Sequence, residues 1–263
     1  MSRYVLRFGA LGYLAFLLGL PVAFVFYKAF EHGFAHAWHA VTTPEALHAL
    51  KLTLLVAAIA VPANTVVGII LALLLVRSRL PGRGVVNAVV DLPLALSPVV
   101  VGLSLLLLYG RKGWFGPWFA SHGIQIVFAL PSMVLATIFV SLPFVVREVV
   151  PVLREIGTEQ EQAAATLGAS AFQIFRRVTF PAIRWSVGYG VVLTTARALG
   201  EFGAVSVVSG RITGKTETAT LLVEDYYEGF NQTGAYAVSV VLALLAVLTL
   251  VAMTLLRPKE ETR

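Results

Sequence analysis

Residues 52–76 read LTLLVAAIAVPANTVVGIILALLLV, an unbroken apolar stretch without a single charged side chain. An α-helix rises about 1.5 Å per residue, so about 20 apolar residues are enough to cross the roughly 30 Å hydrocarbon core of a membrane. The stretch also lacks the two-residue alternation of polar and apolar side chains that a membrane β-strand requires. It therefore predicts a membrane-spanning α-helix.

The same character recurs along the chain. Six stretches qualify as predicted spans: 8–30, 51–76, 88–109, 126–147, 185–208 and 236–256. The 263 residues are 58% hydrophobic and 13% charged. That charge density is about half that of a soluble domain, so membrane lipid must solvate much of the surface. Basic residues precede the first stretch, but its apolar run is too long for a cleaved signal peptide, and we expect it to be retained. The sequence thus predicts an all-α polytopic membrane protein with six transmembrane helices in a single domain, residues 1–263.

Basic residues are distributed unevenly about these spans. One side of the six-span arrangement carries 13 of the 20 lysines and arginines: Arg3, Arg7, Arg77, Arg79, Arg83, Arg147, Arg154, Arg176, Arg177, Arg184, Arg257, Lys259 and Arg263. Because basic loops remain in the cytoplasm, both termini are expected to be cytoplasmic. This orientation accounts for the formal net charge of +6. Nucleic acid is therefore not expected as a partner.

A polar segment separates the fourth and fifth predicted spans. Residues 157–181 read GTEQEQAAATLGASAFQIFRRVTFP. Thr158, with Glu161 three residues later, predicts a capping box at the start of a short helix. Gly168 is placed to end that helix in a left-handed conformation, and a second helix is predicted from Ser170 to about Val178, stopping before Pro181. Such a protrusion suits a groove on a soluble partner, while a solvated connecting loop is the alternative.

This segment resembles the EAA loop of ABC-importer permeases, which have a MetI-like type I fold. Its pattern is Glu-Ala-Ala, three residues, Gly, nine residues, a hydrophobic residue, one residue and Leu-Pro. Four residues match in register: Ala163, Ala164, Gly168 and Pro181. Val178 takes the hydrophobic position, Phe180 stands where leucine is usual, and Gln162 replaces the glutamate. Glu159 and Glu161 lie close enough to supply an acidic contact in its place.

The resemblance is strongest to the sulfate/thiosulfate permeases. It rests on four further stretches: 91–100, DLPLALSPVV; 113–118, GWFGPW; 196–210, ARALGEFGAVSVVSG; and the segment from Thr216 to Asn231. Molybdate and tungstate permeases share much of this pattern, so it identifies the oxyanion group better than the individual anion.

The resemblance implies a set of partners. Residues 159–181 would form a cytoplasmic coupling helix between helices 4 and 5 that sits in a cleft of an ATPase subunit. Two ATPase copies, a second permease subunit and a periplasmic or extracellular oxyanion-binding protein would complete an importer in the bacterial inner (plasma) membrane. We expect no cofactor, no metal and no catalytic residues in this chain.

One of the predicted spans contains two residues of opposite charge. Arg197 and Glu201 are one helical turn apart within 185–208. An unpaired charge at mid-bilayer costs at least about 3 kcal/mol, so an ion pair is expected. The pair would serve either as a gate or anion-path element or as a structural contact that fixes helix packing.

Two extracytoplasmic segments carry further candidate side chains. The segment 211–232 combines four acidic residues with aromatic ones, and its apolar core, 219–223, is placed to dip back into the bundle. It is either a docking and gating surface for the binding protein or a plain loop. His32, His36 and His39 share one face if helical, which leaves a zinc site or an interfacial, solvated loop open.

Two other function classes compete with the importer. The chain has no Gly-x-x-x-x-Gly-Lys-Ser/Thr phosphate-binding loop and no cysteine, so ATP hydrolysis would need a separate subunit. A membrane enzyme would need paired catalytic groups inside the spans, where only Arg197 and Glu201 are expected. A secondary transporter or channel would work without an ATPase and leaves the polar protrusion unexplained.

Overall fold

The computed structural model describes residues 3–78 and 81–256, and this part of the chain consists of helices without strands. The helices, numbered in chain order, are α1 (Arg3–Leu14), α2 (Leu20–Phe30), α3 (Phe34–Val41), α4 (Pro44–Arg77), α5 (Arg83–Ala95), α6 (Pro98–Tyr109), α7 (Gly116–Ser121), α8 (Leu130–Glu155), α9 (Glu159–Thr166), α10 (Ala171–Ile174), α11 (Phe180–Leu199), α12 (Gly203–Val208), α13 (Ala219–Glu228) and α14 (Gln232–Leu256). A π-helical turn, Ala15–Gly19, joins α1 to α2, and a second, Phe175–Thr179, joins α10 to α11. The all-α prediction is confirmed.

Among the residues that the structure describes, four helical segments are long and apolar enough to cross a membrane. They are Arg7–Phe30, Pro44–Arg77, Leu130–Glu155 and Gln232–Thr254. A fifth span is possible if α5 and α6 count as one, although they meet at 110°. The predicted spans at the two ends of the chain and 51–76 thus coincide with helices, and the count of six remains a prediction.

The span predicted at 88–109 is wrong as a single straight helix. Leu96 and Ser97 are extended, with ψ angles of 141° and 134°, and Pro98 begins α6. The residue before a proline is disfavoured in the helical region, and the proline itself has no N–H to continue the ladder. The irregular entry expected from residues 91–98 is therefore a sharp break between two shorter helices.

Two other predicted boundaries also change. The stretch 185–208 is interrupted, because α11 ends at Leu199 and the six-residue α12 starts at Gly203. The stretch 126–147 begins later and runs further, since α8 starts at Leu130 and ends at Glu155. Apolar composition alone predicts neither the break between α11 and α12 nor the extension of α8 to Glu155.

The core is centred on α8, which packs against α4, α5 and α11. Val145 of α8 lies between two glycines. A Cβ atom placed on Gly68 of α4 would be 2.7 Å from Val145 Cβ, and one on Gly190 of α11 would be 2.9 Å from Val145 Cα. These glycines let three helix backbones approach closely, as small residues do in membrane bundles. α1, by contrast, leaves large apolar side chains such as Phe8 and Leu11 exposed.

Candidate functional site

The polar protrusion begins with α9, whose N-terminus differs from the prediction. Thr158 precedes α9 but its side chain accepts no backbone N–H, so the predicted capping box is absent there. Gln162 instead donates from Nε2 to Thr158 Oγ1 at 3.0 Å. Glu161, the expected partner in the capping box, instead contacts Arg77 and Thr179. The carboxylate therefore has a tertiary role rather than a local one.

Gly168 ends α9 as predicted. Its φ of +82° lies in the left-handed region, which costs little only for glycine. The Gly168 N–H donates to Ala165 O at 3.0 Å, and the Ala169 N–H donates to Ala164 O at 3.1 Å. These bonds satisfy carbonyls that the helix end leaves free. The chain thus reverses at Gly168.

A capping box does occur one helix later. Gln173 N donates to Ser170 Oγ at 3.4 Å, and Ser170 N donates to Gln173 Oε1 at 2.8 Å. Both orphan donors at the start of α10 are satisfied in this way. The Ser-x-x-Gln spacing is visible in the sequence, so this signal was available and was missed.

The second helix does not stop before Pro181, and that prediction is wrong. The chain passes from α10 through the π-helical turn Phe175–Thr179 directly into α11, with Pro181 in the first turn of α11. Proline lacks the N–H for an α-helical bond and its ring crowds the preceding turn, which a local π-turn accommodates. The protrusion is therefore continuous with a long helix of the bundle.

Glu161 anchors α9 to the bundle. Its Oε2 lies 3.0 Å from Arg77 Nε at the end of α4, and its Oε1 accepts from Thr179 Oγ1 at 2.8 Å. Arg77 Nη2 also donates to the carbonyl oxygen of Gly157. The Arg77 and Glu161 side chains are 18% and 19% exposed. Glu161 is consequently engaged within the chain, whereas Glu159 and Gln162 remain exposed.

The outer face of the protrusion carries apolar side chains. Leu167 is 88% exposed and Phe172 is 70% exposed, on either side of the Gly168 reversal. Ala163 is exposed and Ala164 half-buried on the same short helix. Small alanines and two exposed apolar side chains form a narrow ridge suited to a groove on another protein. This ridge consists of α9, Gly168 and α10.

The ion pair predicted between Arg197 and Glu201 is confirmed. Arg197 Nη1 lies 2.6 Å from Glu201 Oε2, and the Glu201 side chain is 2% exposed. Glu201 stands in the break after α11 rather than within a helix. Its Oε1 accepts the Ala204 N–H at 2.8 Å, and its carbonyl accepts from Thr220 Oγ1 at 2.8 Å. Glu201 thus joins three helices. Its carboxylate contacts the end of α11 and the start of α12, and its backbone carbonyl contacts α13.

A second ion pair, between α5 and α8, was missed. Asp91 of α5 accepts from Arg147 Nε of α8 at 2.7 Å, and a second contact joins Asp91 Oδ2 to Arg147 Nη2. The expectation that only Arg197 and Glu201 are charged inside the spans is wrong. Asp91 lies within 88–109 and Arg147 ends 126–147, so both signals were present. Their pairing depends on how α5 packs on α8, which sequence spacing does not reveal.

The segment 211–232 folds back against the bundle through its apolar core, as predicted. Ala219, Leu221 and Leu222 are all at most 2% exposed. Arg211 Nη2 lies 2.7 Å from Glu224 Oε2. Glu217 is 1% exposed; its burial, together with the neighbouring Asp225, raises the pKa of the carboxyl to about 7. Tyr227 and Phe230 remain exposed at the rim of this surface.

The histidines between the first two predicted spans are not gathered into a metal centre. Among residues 3–78 and 81–256, no three His, Cys, Asp or Glu side chains are arranged to hold a metal ion. His32 Nδ1 lies 3.4 Å from Thr233 Oγ1 at the start of α14.

Comparison with known proteins adds relatives of three kinds. Residues 64–261 match the family described as "Binding-protein-dependent transport system inner membrane component". A "Sulfate transport system permease protein CysW" from Synechocystis sp. is 53% identical over 98% of this chain and 93% of its own. The protein of the same name from Escherichia coli K12 is 47% identical over 95% of this chain and 86% of its own. A "Sulfate transport system permease protein CysT" from Synechocystis sp. is 39% identical over 93% of this chain and 86% of its own.

Solved structures share the fold. A chain of a bacterial ABC transporter involved in the import of alginate superposes with a TM-score of 0.81 over 98% of this chain and 96% of that chain, at 18% identity. A second structure, of a bacterial alginate ABC transporter in complex with its alginate-loaded periplasmic protein, gives a TM-score of 0.78 over 95% of this chain and 91% of that chain. At this identity the likeness concerns the architecture alone.

Proposed function

The chain belongs to the family of binding-protein-dependent transport system inner membrane components, and we propose that it is a permease subunit of an ATP-driven importer of sulfate or thiosulfate. It is a multi-pass protein of the inner membrane. Relatives named as sulfate permeases at 47–53% identity over nearly the whole chain support sulfate over molybdate or tungstate. A secondary transporter or channel working alone is not supported by these relatives.

The ridge of α9, Gly168 and α10 is the proposed contact with the ATPase. The observation that carries this proposal is the exposure of Leu167 and Phe172 on a segment that is itself tied to the bundle. Single exposed apolar side chains are common, but apolar side chains gathered on one protrusion are typical of a contact with another protein. Of the residues in the EAA pattern, Ala163, Ala164 and Gly168 give the ridge its shape, and Glu159 and Gln162 supply polar contacts. Glu161 is reassigned to the anchoring contact with Arg77.

The proposed assembly has two permease subunits, two ATPase subunits and an extracytoplasmic binding protein. Both termini and the ridge would be cytoplasmic, and the segment 211–232 would face the binding protein. ATP-driven closure of the ATPase pair would move the ridge and turn the spans from inward-facing to outward-facing. The binding protein would select the anion, and the permease would open a path without holding the anion tightly, since tight binding slows release.

Purification of the intact complex from a native membrane tests the proposal. Wild type should carry ATPase and second permease subunits with it, and sulfate-loaded binding protein should stimulate ATP hydrolysis. Sulfate, thiosulfate and molybdate compared in this assay would identify the anion. Transport by this chain alone, with no ATPase recovered, would overturn the proposal.

Two surface variants separate the proposed docking faces. Leu167→Glu should abolish recovery of the ATPase subunits, because a charge would enter an apolar contact. Phe230→Asp, on the opposite side, should leave the ATPase bound but weaken stimulation by the binding protein. Equal ATPase recovery from both variants would contradict the assignment of the ridge.

A further inference from the structure

Helix α4 connects the two faces of the protein without a break. Its 34 residues, Pro44–Arg77, correspond to about 51 Å at 1.5 Å per residue. Its inner end is Arg77, beside α9, and its outer end lies beside the segment 211–232. Each end is held by side-chain contacts to residues far away in the sequence.

The inner end is held by Arg77. Its guanidinium reaches both the carbonyl of Gly157, just before α9, and the carboxylate of Glu161, within α9. Thr179, in the π-helical turn, bonds the other oxygen of the same carboxylate. Both side chains are less than a fifth exposed. The Arg77–Glu161 contact is an ion pair at 3.0 Å, while Thr179 hydrogen-bonds the other carboxylate oxygen, so it is better shielded from water than a surface ion pair.

The outer end is held by Thr53. Its hydroxyl accepts the Ala219 N–H at 2.8 Å, at the start of α13, and donates to Ala49 O of its own helix at 2.8 Å. Thr53 is 4% exposed, and Ala219 is fully buried. Two weaker contacts add to this end: Thr43 Oγ1 lies 3.3 Å from the Tyr226 hydroxyl, and His48 Nε2 lies 3.3 Å from Lys215 O.

Between its ends α4 is fixed to α8. Asn64 donates from Nδ2 to Ile138 O at 3.0 Å and to Ser141 Oγ at 2.8 Å. Gly68 admits Val145 against the α4 backbone. Pro62 lies inside the helix without ending it. A displacement at one end therefore moves the packed pair instead of bending α4 locally.

We propose that α4 transmits the motion of the ATPase-bound ridge to the extracytoplasmic segment 211–232, with Arg77 as the positioning residue at its inner end and Thr53 at its outer end. This rests on the proposed function, because the ridge must be driven by an ATPase for any motion to be transmitted. Arg77 acts through its contacts with Glu161 and Gly157. Thr53 acts in the same way through the backbone of Ala219.

The test uses the complete complex, reconstituted in vesicles with sulfate-loaded binding protein. The quantity measured is sulfate transported per ATP hydrolysed, together with the ATPase subunits recovered. Arg77→Ala is compared with Arg154→Ala, an exposed arginine of α8 without an ion-pair partner among the described residues. Thr53→Val is compared with Thr65→Val, whose hydroxyl bonds only Val61 O of its own helix.

Arg77→Ala should keep the ATPase subunits bound and hydrolysing ATP, while sulfate moved per ATP falls about tenfold, within the range of coupling energies between linked sites. Thr53→Val should lower the same ratio about fivefold with hydrolysis retained. Arg77→Lys, which keeps the charge but not the forked contact, should recover part of the ratio. Arg154→Ala and Thr65→Val should match wild type.

Three results would overturn the inference. A wild-type ratio in both Arg77→Ala and Thr53→Val would remove α4 from the transmission path. Loss of ATPase recovery in Arg77→Ala, with a normal ratio in Thr53→Val, would make Arg77 a docking residue only. Equal losses in the two control variants would indicate general destabilisation. Failure of the proposed function differs from all three, because wild type itself would then recover no ATPase.

Discussion

Removal of the Glu201 carboxylate should destabilise the junction between α11 and α12. In wild type this carboxylate pairs with Arg197 and accepts the Ala204 N–H that begins α12. Glu201→Ala removes both contacts and leaves Arg197 without its partner. Because the Glu201 side chain is only 2% exposed, water cannot replace the lost interactions.

The expected loss follows from these contacts. Removing one partner of a buried ion pair costs about 3–5 kcal/mol. Arg197 is 29% exposed, so part of its charge is solvated and we take the lower end, about 3 kcal/mol. Glu201→Gln keeps an oxygen for the Ala204 N–H but loses the charge, which predicts about 1.5 kcal/mol. Replacing both Arg197 and Glu201 by methionine should cost less than Glu201→Ala, since no unpaired charge remains.

The assay is the free energy of unfolding of the purified protein in mixed micelles, measured for both single variants and the double variant. Transport per folded complex is recorded in parallel. Glu228→Ala, an exposed acid of α13, is the control and should change the unfolding free energy by no more than about 0.5 kcal/mol.

Two results would refute this reasoning. One is a Glu201→Ala protein as stable as the Glu228→Ala control. The other is a stable double-methionine protein that has lost all transport, which would make the pair a gate or anion-path element. Retained transport in the double variant would support a structural pair.

Three further predictions test other parts of the molecule. Thermal stability of wild type should fall as the pH rises from about 4.5 to 7, because the folded protein, in which the pKa of Glu217 is raised to about 7, holds a proton that the unfolded chain releases. Glu217→Gln should flatten this pH dependence, and an unchanged slope in the variant would contradict the role of Glu217. Gly190→Leu should destabilise by about 1–3 kcal/mol through overlap with Val145, whereas Gly188→Leu, which faces open space, should be tolerated; equal stability of the two would contradict the packing. Ser170→Ala should lower the unfolding free energy by about 1 kcal/mol through loss of the cap on α10, and a neutral result by the same micelle assay would argue against that capping box.

The sequence predicted local structure correctly where one residue type dictates the backbone geometry. Gly168 takes the left-handed conformation expected of a glycine after a short helix. The proline-rich stretch 91–98 breaks the chain as its composition suggests, although the angle between the two helices was not foreseen. Arg197 and Glu201 pair because charges one turn apart in an apolar stretch have few other partners. Each of these follows from the backbone or from nearby residues.

Predictions failed where a distant partner competes with a local one. Glu161 fits a capping box by spacing, but Arg77 and Thr179 offer its carboxylate stronger contacts. Pro181 was expected to end a helix, but the chain continues through a π-helical turn. Asp91 and Arg147 were both visible in the sequence, and their pairing depended on the packing of α5 against α8.

By itself the sequence determined that this protein is helical, lies in a membrane and carries a polar segment after its fourth apolar stretch, because the length of an apolar stretch and the position of a glycine act on the local backbone. The tertiary structure alone decided which distant polar groups meet: Arg77 with Glu161, Asp91 with Arg147, and Thr53 with the start of α13. Such contacts join residues 56 to 166 positions apart. Their energies depend on helix packing and burial, which no local pattern of residues encodes.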